Sequence, residues 1–562
     1  MQTPSPDDDA LFAQESSVRD LSVNHTSSSG LSSNDAPLRI DASAYLTPSA
    51  VADRLSALGE ARRRAASTAV NADNSSASFF HQDRTLKEEC GVFGVIGAPD
   101  SAAVTALGLH ALQHRGQEAA GIASVEGDRF HTERHLGLVS EHFIGAEALG
   151  RLKGDAAIGH TRYSTTGETV LRNVQPLYAD LDQGGIAIAH NGNLSNARAL
   201  KTSLVKEGRI FQSTSDSELF LQLTARARRG NVVDRFVEGL GAVEGAYALT
   251  ALTKDALIGA RDPIGIRPLI LGRLNGAPVL ASETCALEVI GATFERDILP
   301  GEVVICHRDG NVESLRTTPH RPARSCIFEL IYFARPNSIV DGKSVYQLRK
   351  GLGRQLAREA PVDADIISPI PESGVPAAIG FAQEAGLPYE MALIRSHFVG
   401  RTFIEPEQRI REAGVARKHS PNTGLIAGKR VVLIDDSIVR GTTSRKIVAM
   451  MKNAGAKEVH LRVACPPIQH PDYYGINTPS QDELIGANMS VDEMCKDFGA
   501  DSLAFLSLDG LYEALGKGPR DKDAPAFTDH CFTGDYPTPL TDRDEKERSA
   551  MITQLSFLAE TS

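Results

Sequence analysis

The chain has 562 residues, of which 41% are hydrophobic and 23% are charged, and its net charge is −12. At roughly 150 residues per domain this length predicts two to four domains, and the acidic balance argues against a general surface for nucleic acid or anionic membranes while leaving a local basic pocket open. The sequence has no run near the ~20 apolar residues of a membrane span, no secretory signal at its start, and seven cysteines without a CxxC pair, which together favour a cytoplasmic protein with reduced thiols over a disulfide framework.

The first 89 residues are rich in Ser, Ala, Asp and Asn. One helix is predicted over Ser49–Ala65, and the remainder carries too little apolar surface to order itself. Cys90 then stands at the head of the first good strand, in EECGVFGVIGA. The sequence therefore predicts a disordered leader over 1–89 and a folded domain that begins at this cysteine.

Residues 90–320 alternate short apolar runs with turns, and two helices are predicted, over Ala102–His114 and Ser217–Arg229. Many short strands with few helices indicate a layered α+β domain. The runs that read as strands are GVFGVIG, AAIGH, GGIAIAH, AYALTALT, LIGAR and PVLAS.

Residues 321–515 have a different pattern, in which strands and helices alternate. Helices are predicted over Tyr346–Glu359, VPAAIGFAQEAG and Ser444–Ala454, and strands over ADIISPIPES, YEMALIRS, KRVVLIDDS and EVHLRVAC. Such alternation is typical of a parallel sheet with right-handed crossovers. The charged, proline-rich tail at 516–562 is expected to wrap around the body or to fray.

The stretch KRVVLIDDSIVRGTTSRKI carries the most chemical information. A buried strand, Val431–Ile434, ends at Asp435 and Asp436, and a loop with Gly441 and three hydroxyl groups leads into a helix. Ligands of open α/β sheets bind beyond strand carboxyl ends, and a loop at a helix N-terminus suits a phosphate. The acids can accept hydrogen bonds from sugar hydroxyls or bind Mg²⁺. The stretch predicts a ribose 5-phosphate site; the alternative is an ordinary turn with exposed acids.

This stretch resembles the signature of type I phosphoribosyltransferases, which bind 5-phosphoribosyl 1-pyrophosphate (PRPP). The resemblance implies that Asp435 and Asp436 bind the ribose, and that Glu372 and Ser373, after ISPIP, belong to the pyrophosphate loop. It also implies a Mg²⁺ site at Ser373, Asp435 and Asp436. The residues that match the 5-phosphate loop are Ser437, Ile438, Val439, Arg440, Gly441, Thr442 and Thr443.

The basic stretch from Arg395 to His419 reads as a mobile lid that brings Arg401, Arg417 and Lys418 onto the pyrophosphate. A solvated loop is the alternative for each of these side chains.

Four stretches after Cys90 resemble the N-terminal-nucleophile glutaminase domain: ALQHRGQEAAGIA, IGHTRYSTTG, AHNGNLSNA and STSDSE. The resemblance implies that Cys90 is the nucleophile, that Asn191 and the Gly192 N–H stabilise the oxyanion, and that Arg162 and Asp216 bind the carboxylate and ammonium of glutamine. A lone cysteine is otherwise most often a buried apolar residue.

An α-amine titrates near 7.7–8.0 and can act as the base for glutamine hydrolysis. Cys90 has such an amine only as the first residue of a mature chain. Because residue 89 is glutamate, removal of an initiator methionine cannot expose it. Cleavage between Glu89 and Cys90 is therefore expected.

A glutaminase followed by a phosphoribosyltransferase resembles the amidophosphoribosyltransferase family. The implied fold is an αββα N-terminal-nucleophile domain followed by a type I parallel-sheet domain. The implied reaction is glutamine-dependent conversion of PRPP to 5-phosphoribosylamine, the first committed step of purine synthesis. The family also implies Mg²⁺, feedback inhibition by purine nucleotides, and a homo-oligomer, commonly a tetramer, with neither nucleic acid nor membrane as a partner.

One departure from the family concerns its [4Fe–4S] cluster, which many relatives hold with four cysteines. Cys326 and Cys531 fit two of these positions, but Asp472 and Thr528 occupy the other two. Two thiolates are a poor cage for such a cluster even with His530 nearby. The sequence predicts no iron–sulfur cluster. Cys465 and Cys495 are expected to be buried structural thiols.

Two other functions compete with this interpretation. A non-catalytic PRPP-sensing regulator would need a DNA-binding module, which the acidic balance and the intact glutaminase motifs argue against. Another N-terminal-nucleophile amidotransferase, such as a glucosamine-phosphate or asparagine synthase, would carry a second domain without IDDSIVRGTTS. An inactive homologue is the remaining alternative, although every expected catalytic position is filled.

Overall fold

The computed structural model describes residues 90–143, 145–163, 170–228, 230–316, 321–396, 419–476 and 480–543. These residues all belong to one compact unit. The predicted leader, with its helix at Ser49–Ala65, lies outside the described residues, as do Arg401, Arg417 and Lys418 of the predicted lid. Among the helices that are described, none combines the length and the apolar run needed to cross a membrane.

The first half of the chain is built on antiparallel strands. Their bounds are β1 Gly91–Ile96, β2 Ala119–Glu126, β3 Arg129–Leu136, β4 Ala156–Arg162, β5 Leu177–Leu181, β6 Gly184–Leu194, β7 Gly245–Thr253, β8 Ala256–Arg261, β9 Ile270–Leu274, β10 Ala277–Ala281, β11 Thr293–Asp297, β12 Glu302–His307 and β13 Val312–Arg316.

Within the described residues these strands form two sheets, with strand orders β11-β9-β10-β1-β4-β2-β3 and β13-β12-β8-β7-β6-β5. Side chains on β1 alternate between two cores, as the period of a strand requires. Val92 and Ile96 face the core between the sheets, whereas Phe93 and Val95 face the helices that cover the first sheet. The strand is therefore buried on both faces, and this explains its unbroken apolar sequence.

Helices cover the outer face of each sheet. They are α1 Ser101–Ala111, α2 Val139–His142, α3 Ala146–Arg151, α4 Ala197–Lys206, α5 Glu218–Arg226, α6 Val232–Leu240 and α7 Thr284–Ile290, with 3₁₀ turns at Gln113–Arg115 and Leu171–Asn173. Helix α1 ends three residues earlier than predicted, where the 3₁₀ turn takes over. The sequence also missed α2, α3, α4, α6 and α7, so the expectation of few helices was wrong. The layers are helix, sheet, sheet, helix, as the resemblance implied.

The second half contains shorter strands. They are β14 Ser325–Cys326, β15 Ile339–Val340, β16 Lys343–Ser344, β17 Ile366–Pro369, β18 Leu393–Arg395, β19 His419–Pro421, β20 Arg430–Asp435, β21 Glu458–Val463, β22 Ser502–Phe505 and β23 Phe527–Thr528. The helices are α8 Val345–Glu359, α9 Val375–Ala385, α10 Thr423–Ile426, α11 Thr442–Asn453, α12 Ile485–Asn488, α13 Val491–Phe498, α14 Leu508–Ala514 and α15 His530–Thr533, with a π-helical turn at Glu329–Phe333 and a 3₁₀ turn at Gln481–Glu483.

In the part of this half that the structure describes, a parallel sheet runs in the order β17-β20-β21-β22. The predicted strand YEMALIRS does not join it as a regular strand. Tyr389 forms a single bridge with Ile367, and the following strand β18 pairs with β19 in a separate two-stranded sheet. The sequence missed β22, which occupies one edge of the parallel sheet.

The described part of the predicted tail packs against both halves of the chain. Strand β23 pairs in parallel with β14. Asp542 accepts hydrogen bonds from the backbone N–H groups of Arg198 and Ala199, at 2.7 and 3.0 Å. Residues 517–543 therefore wrap around the body.

Candidate active sites

Cys90 lies immediately before β1, at the end of the sheet where Gly91 pairs with Thr161 of β4. Its side chain is buried, and its Sγ donates to the carbonyl oxygen of Tyr163 at 3.4 Å. Its own carbonyl oxygen accepts a hydrogen bond from Nε of Arg115 at 3.2 Å. The predicted nucleophile is thus fixed through its backbone as well as its side chain.

The predicted oxyanion residues Asn191 and Gly192 lie on β6, in the facing sheet. Asn191 is fully buried, and neither Nδ2 nor Oδ1 of its amide has a hydrogen-bond partner among the described residues. Such a group is costly to bury without a partner, so this amide points to a ligand that would bind there. Gly192 has φ +143°, and a Cβ there would meet the carbonyl oxygen of Ala246.

His160 connects the two sheets at this point. Its Nε2 lies 3.0 Å from the carbonyl oxygen of His190, the residue before Asn191. Burial and the charge of Arg162 lower the pKa of His160 to about 3, so the ring is neutral at physiological pH and its Nε2–H donates to that carbonyl. His160 lies within the motif IGHTRYSTTG, but the sequence analysis assigned a role only to Arg162 of that motif.

The predicted glutamine-binding residues Arg162 and Asp216 are brought together through Asn173. Arg162 donates to the carbonyl oxygen of Asn173 at 3.0 Å. The Asn173 side chain pairs with both the N–H and the hydroxyl of Thr214, at 2.9 and 2.8 Å. Asp216 accepts from the N–H of Leu194 at 3.0 Å, which places its carboxylate beside β6.

A buried network of charges lies beneath Cys90, and the sequence analysis predicted no role for it. Arg115 pairs with Glu283 and with Glu329, and Glu329 is also 3.4 Å from Arg267. Burial by itself raises the pKa of Glu283, but His114, Arg115 and Ser338 hold it well below its ordinary value. The partners are 168 and 214 positions from Arg115 in sequence, so no local pattern could join them.

The second site is a cleft at the carboxyl end of β20. The predicted residues Ser373 and Asp435–Thr443 all line it, together with Tyr332, Ile370, Pro371, His419 and Ser444. Glu372 does not line it; its carboxylate lies 3.5 Å from Arg395. Sequence reasoning did not name Tyr332, Ile370, Pro371 or His419 as ligands here.

The two acids of the cleft interact closely with each other. Asp435 accepts a hydrogen bond from the N–H of Asp436 at 3.0 Å, and Asp436 accepts one from the Ser437 hydroxyl at 2.8 Å. Burial, and then the neighbouring charge of Asp436, raise the pKa of Asp435 well above its ordinary value. A bound cation or hydroxyl donors of a ligand would relieve this repulsion.

The loop after these acids leads directly into α11, as the sequence predicted. Gly441 has φ +71°, a left-handed conformation that favours glycine. A Cβ at this position would lie 2.5 Å from the ring of Phe498. Arg440 extends away from the loop and pairs with Glu483 at 2.9 Å. The first residues of α11, Thr442, Thr443 and Ser444, line the cleft, and the N-terminus of a helix suits a bound phosphate.

The cleft fits a Mg²⁺ ion that the substrate helps to bind. Asp435 and Asp436 supply two buried carboxylates, and neither forms an ion pair within the described residues. No set of three or more His, Cys, Asp or Glu side chains in the described ranges is placed to hold a metal alone. Mg²⁺ is commonly held by one or two carboxylates together with substrate phosphates.

The position of the family's iron–sulfur cluster is filled differently. His530 Nε2 lies 2.8 Å from Asp472 Oδ2, with both side chains buried, and the Thr528 hydroxyl donates to the carbonyl oxygen of Arg324 at 2.5 Å. Burial, and then the neighbouring thiols Cys326 and Cys465, raise the pKa of Cys531 well above its ordinary value. These residues do not supply the four thiolates of such a cluster, and its absence stays a prediction.

The two remaining cysteines differ in burial. Cys465 is fully buried, as predicted, but Cys495 is only half-buried, which corrects the expectation that both are interior thiols.

Two family models match the chain: a glutamine amidotransferase domain over residues 160–289 and a phosphoribosyl transferase domain over residues 337–482. An amidophosphoribosyltransferase of Rhizobium etli is 56% identical over 480 residues, covering 84% of this chain and 96% of that protein. A chloroplastic amidophosphoribosyltransferase of Glycine max is 51% identical over 466 residues, covering 83% and 81%.

A solved structure matches both halves of the fold. It is the glutamine phosphoribosylpyrophosphate (PRPP) amidotransferase from B. subtilis complexed with ADP and GMP, 45% identical, with a TM-score of 0.76, and the match covers 80% of this chain and 98% of that one.

Proposed function

Because the chain belongs to the amidophosphoribosyltransferase family, which aminates PRPP with glutamine in purine biosynthesis, we propose how its residues divide that reaction between two sites. The alternatives of a PRPP-sensing regulator and of a different amidotransferase give way to this family, since the relatives match both halves of the chain. The assignments below rest on the positions of individual side chains.

In the first site Cys90 attacks the side-chain carbonyl carbon of glutamine. Asn191 Nδ2 and the Gly192 N–H donate to the oxyanion, Arg162 binds the α-carboxylate and Asp216 binds the α-ammonium. The Cys90 α-amine takes the thiol proton and returns it to the leaving nitrogen, so that ammonia departs and a glutamyl thioester remains. Water then cleaves the thioester to release glutamate.

The observation that carries this assignment is the Asn191 amide. It is fully buried, it has no partner among the described residues, and its strand is tied to that of Arg162 by the His160 contact. A preorganised donor aimed at a developing oxyanion contributes about 10²–10³ in rate.

In the second site ammonia attacks C1 of PRPP, and the bond from C1 to the pyrophosphate oxygen breaks. Asp435 and Asp436 orient the ribose hydroxyls, Ser437–Thr443 bind the 5-phosphate, and Ser373 contacts the pyrophosphate. Asp435, Asp436 and Ser373 would hold a Mg²⁺ ion, which would supply positive charge to the pyrophosphate. Glu372, Arg401 and Lys418 are proposed to approach the pyrophosphate when the substrate binds. Their approach would exclude water from the site.

Four further properties belong to this proposal. Purine nucleotides inhibit the enzyme, since the B. subtilis relative is described in complex with ADP and GMP. The enzyme is cytoplasmic, which its seven cysteines favour because none of them forms a disulfide. It is a homotetramer, which its family favours. Residues 1–89 are removed, which creates the α-amine of Cys90. Light scattering tests the homotetramer, and nucleotide titration tests the inhibition.

The experiment for the catalytic assignment joins N-terminal sequencing to one variant. The purified active chain is expected to begin at Cys90. Cys90→Ala is expected to lose glutamine-dependent synthesis by at least about 10³-fold while ammonia-dependent synthesis stays within about two-fold. A chain that retains residues before Cys90 and still hydrolyses glutamine would contradict the proposed base. Equal loss with both nitrogen donors would contradict the division between two sites.

A further inference from the structure

A turn from the second half of the chain is seated on the proposed oxyanion residues. This turn comprises Tyr473–Ile476, directly after Asp472. The side chain of Asn193 donates to the carbonyl oxygen of Tyr473 at 2.9 Å, across 280 positions of sequence. A Cβ on Gly475 would lie 3.2 Å from Cα of Gly192, so no residue larger than glycine fits there without displacing it.

Gly192 lies close to two backbone segments. A Cβ at Gly192 would lie 2.1 Å from the carbonyl oxygen of Ala246 in the neighbouring strand, and a Cβ at Gly475 would lie 3.3 Å from the carbonyl carbon of Gly192. Because the turn lies against the Gly192 peptide, a displacement of the Tyr473–Ile476 turn would change the surroundings of that peptide.

Asp472 holds the shape of that turn. Its buried Oδ1 accepts hydrogen bonds from the N–H groups of Tyr474 and Ile476, at 2.7 and 2.8 Å. Its Oδ2 lies 2.8 Å from Nε2 of His530 on α15. The carboxylate therefore links two backbone N–H groups of the turn to α15 in the C-terminal segment.

His530 is itself held in place by aromatic packing. Its ring meets the Tyr474 ring edge-on, with centroids 5.2 Å apart, and packs on Tyr536 at 5.0 Å. The Tyr474 hydroxyl is paired with Thr538 at 2.9 Å. The Asp472–His530 pair is thus a clasp between the turn and residues 530–538.

We propose that Asp472, clasped by His530, is a positioning residue for glutamine hydrolysis, because it presses the Tyr473–Ile476 turn onto Gly192 and Asn193. The side chain touches no reacting atom and acts only through the orientation of the oxyanion donors. This inference rests on the proposed role of Asn191 and Gly192.

The test compares glutamine-dependent with ammonia-dependent synthesis of 5-phosphoribosylamine in the full enzyme. Asp472→Ala removes both backbone hydrogen bonds and the contact with His530. We expect kcat with glutamine to fall by about 10-fold or more, KM for glutamine to stay within about two-fold, and the ammonia-dependent rate to stay within about two-fold. Asp472→Asn keeps an acceptor for Tyr474 and Ile476 and is expected to restore most of the activity.

Two further variants keep the test decisive. Gly475→Ala adds the Cβ that would crowd Gly192 and is expected to show the same selective loss, even if Asp472→Ala does not fold. Glu302→Gln is the matched control. Glu302 is a buried carboxylate that pairs with Arg296 at 2.8 Å, and it is distant in sequence from both Gly192 and Asp472. It is expected to leave the ratio of the two activities unchanged.

Three outcomes separate the possibilities. A loss that is equal for glutamine and ammonia, or one confined to KM, would overturn the positioning role. An unchanged ratio in both Asp472→Ala and Gly475→Ala would also overturn it. Asn191→Ala is run beside them: if it leaves glutamine hydrolysis intact, the proposed oxyanion assignment fails, whereas if it abolishes hydrolysis and the turn variants do not, the inference alone fails.

Discussion

Glu329 and Tyr332 stand on one π-helical turn, yet they face different sites. Glu329 pairs with Arg115, whose Nε holds the carbonyl oxygen of Cys90, while Tyr332 lines the cleft of Asp435 and Asp436. Arg349, buried on α8, donates to the carbonyl oxygens of Leu330 and Ala334 and so fixes this turn, at 2.9 and 2.8 Å. The two sites thus share a rigid element of five residues.

The first prediction concerns the stability contributed by Arg115. Arg115→Met leaves Glu283 and Glu329 buried with fewer cations, and losing one partner of a buried pair costs about 3–5 kcal/mol. Denaturant unfolding measures this loss. The control is Arg358→Met, whose guanidinium is exposed beside Glu384 at 2.8 Å and whose loss is expected to cost far less, because exposed ion pairs contribute little. Equal costs for the two variants would refute the importance of burial.

The second prediction concerns the acids of the cleft. Asp435→Asn and Asp436→Asn each remove a carboxylate proposed to bind ribose and Mg²⁺, and we expect PRPP-dependent synthesis to fall by about 10–100-fold with either nitrogen donor. Steady-state kinetics with glutamine and with ammonia measure it. Asp497→Asn, which changes an exposed acid paired with Arg445 in the same half, should leave both rates unchanged. A loss with glutamine alone would place the acids outside the second site.

The third prediction concerns the phosphate loop. Gly441→Ala and Gly428→Ala both put a side chain at a left-handed φ, +71° and +74°, so both are expected to lose about 1–2 kcal/mol of stability. A Cβ added at Gly441 would meet the ring of Phe498, whereas a Cβ added at Gly428 would have no atom within 4 Å. We therefore expect KM for PRPP to rise, by roughly 10-fold, in Gly441→Ala alone. A matching rise in Gly428→Ala would show that strain, and not the loop, is responsible.

The fourth prediction concerns pH and His160. The folded-state pKa of His160 is about 3 and its ordinary value is 6.5, so between these values the unfolded chain binds a proton that the folded chain does not. The free energy of unfolding should therefore decrease as pH falls from 6.5 toward 3, by at most about 1.4 kcal/mol per pH unit from this group. Unfolding of wild type and His160→Gln at several pH values measures the difference in slope. Parallel pH profiles would contradict the assignment.

The fifth prediction concerns iron. Because Asp472 and Thr528 replace two thiolates and Asp472 is engaged by His530, the purified protein should be colourless and hold essentially no iron, and exposure to air should not reduce its activity. Metal analysis and absorbance spectra check this. A content near about four irons per chain would contradict it. Chelation of Mg²⁺ serves as the positive control, since it is expected to stop PRPP-dependent synthesis.

Much of the fold and of both sites follows from local sequence. The unbroken apolar run from Gly91 to Ile96 indicates a strand buried on both faces, and the run from Val431 to Thr443 contains its strand, its acids and its turn within a single stretch. The family motifs predicted individual site residues, including Asn191 and Asp216, because each of these residues lies in a short segment that resembles a motif of the family.

The sequence misjudged elements whose structure depends on distant partners. YEMALIRS has the composition of a strand, but it meets β17 only at Tyr389, because its last residues pair with β19 instead. Glu372 follows a strand as predicted, yet its carboxylate turns to Arg395. In both cases local propensity competes with contacts that no local pattern encodes.

The sequence by itself determined the two-domain architecture and predicted the nucleophile and the phosphate-binding loop, because hydrophobic periodicity and short motifs act over a few residues. Only the tertiary structure decided how Cys90 and Gly192 are held. Arg115 reaches Glu329 across 214 positions, and Gly475 meets Gly192 through a turn that Asp472 and His530 hold together. Buried charges and close backbone contacts join residues that folding alone makes neighbours, so their roles appear only once the chain is packed.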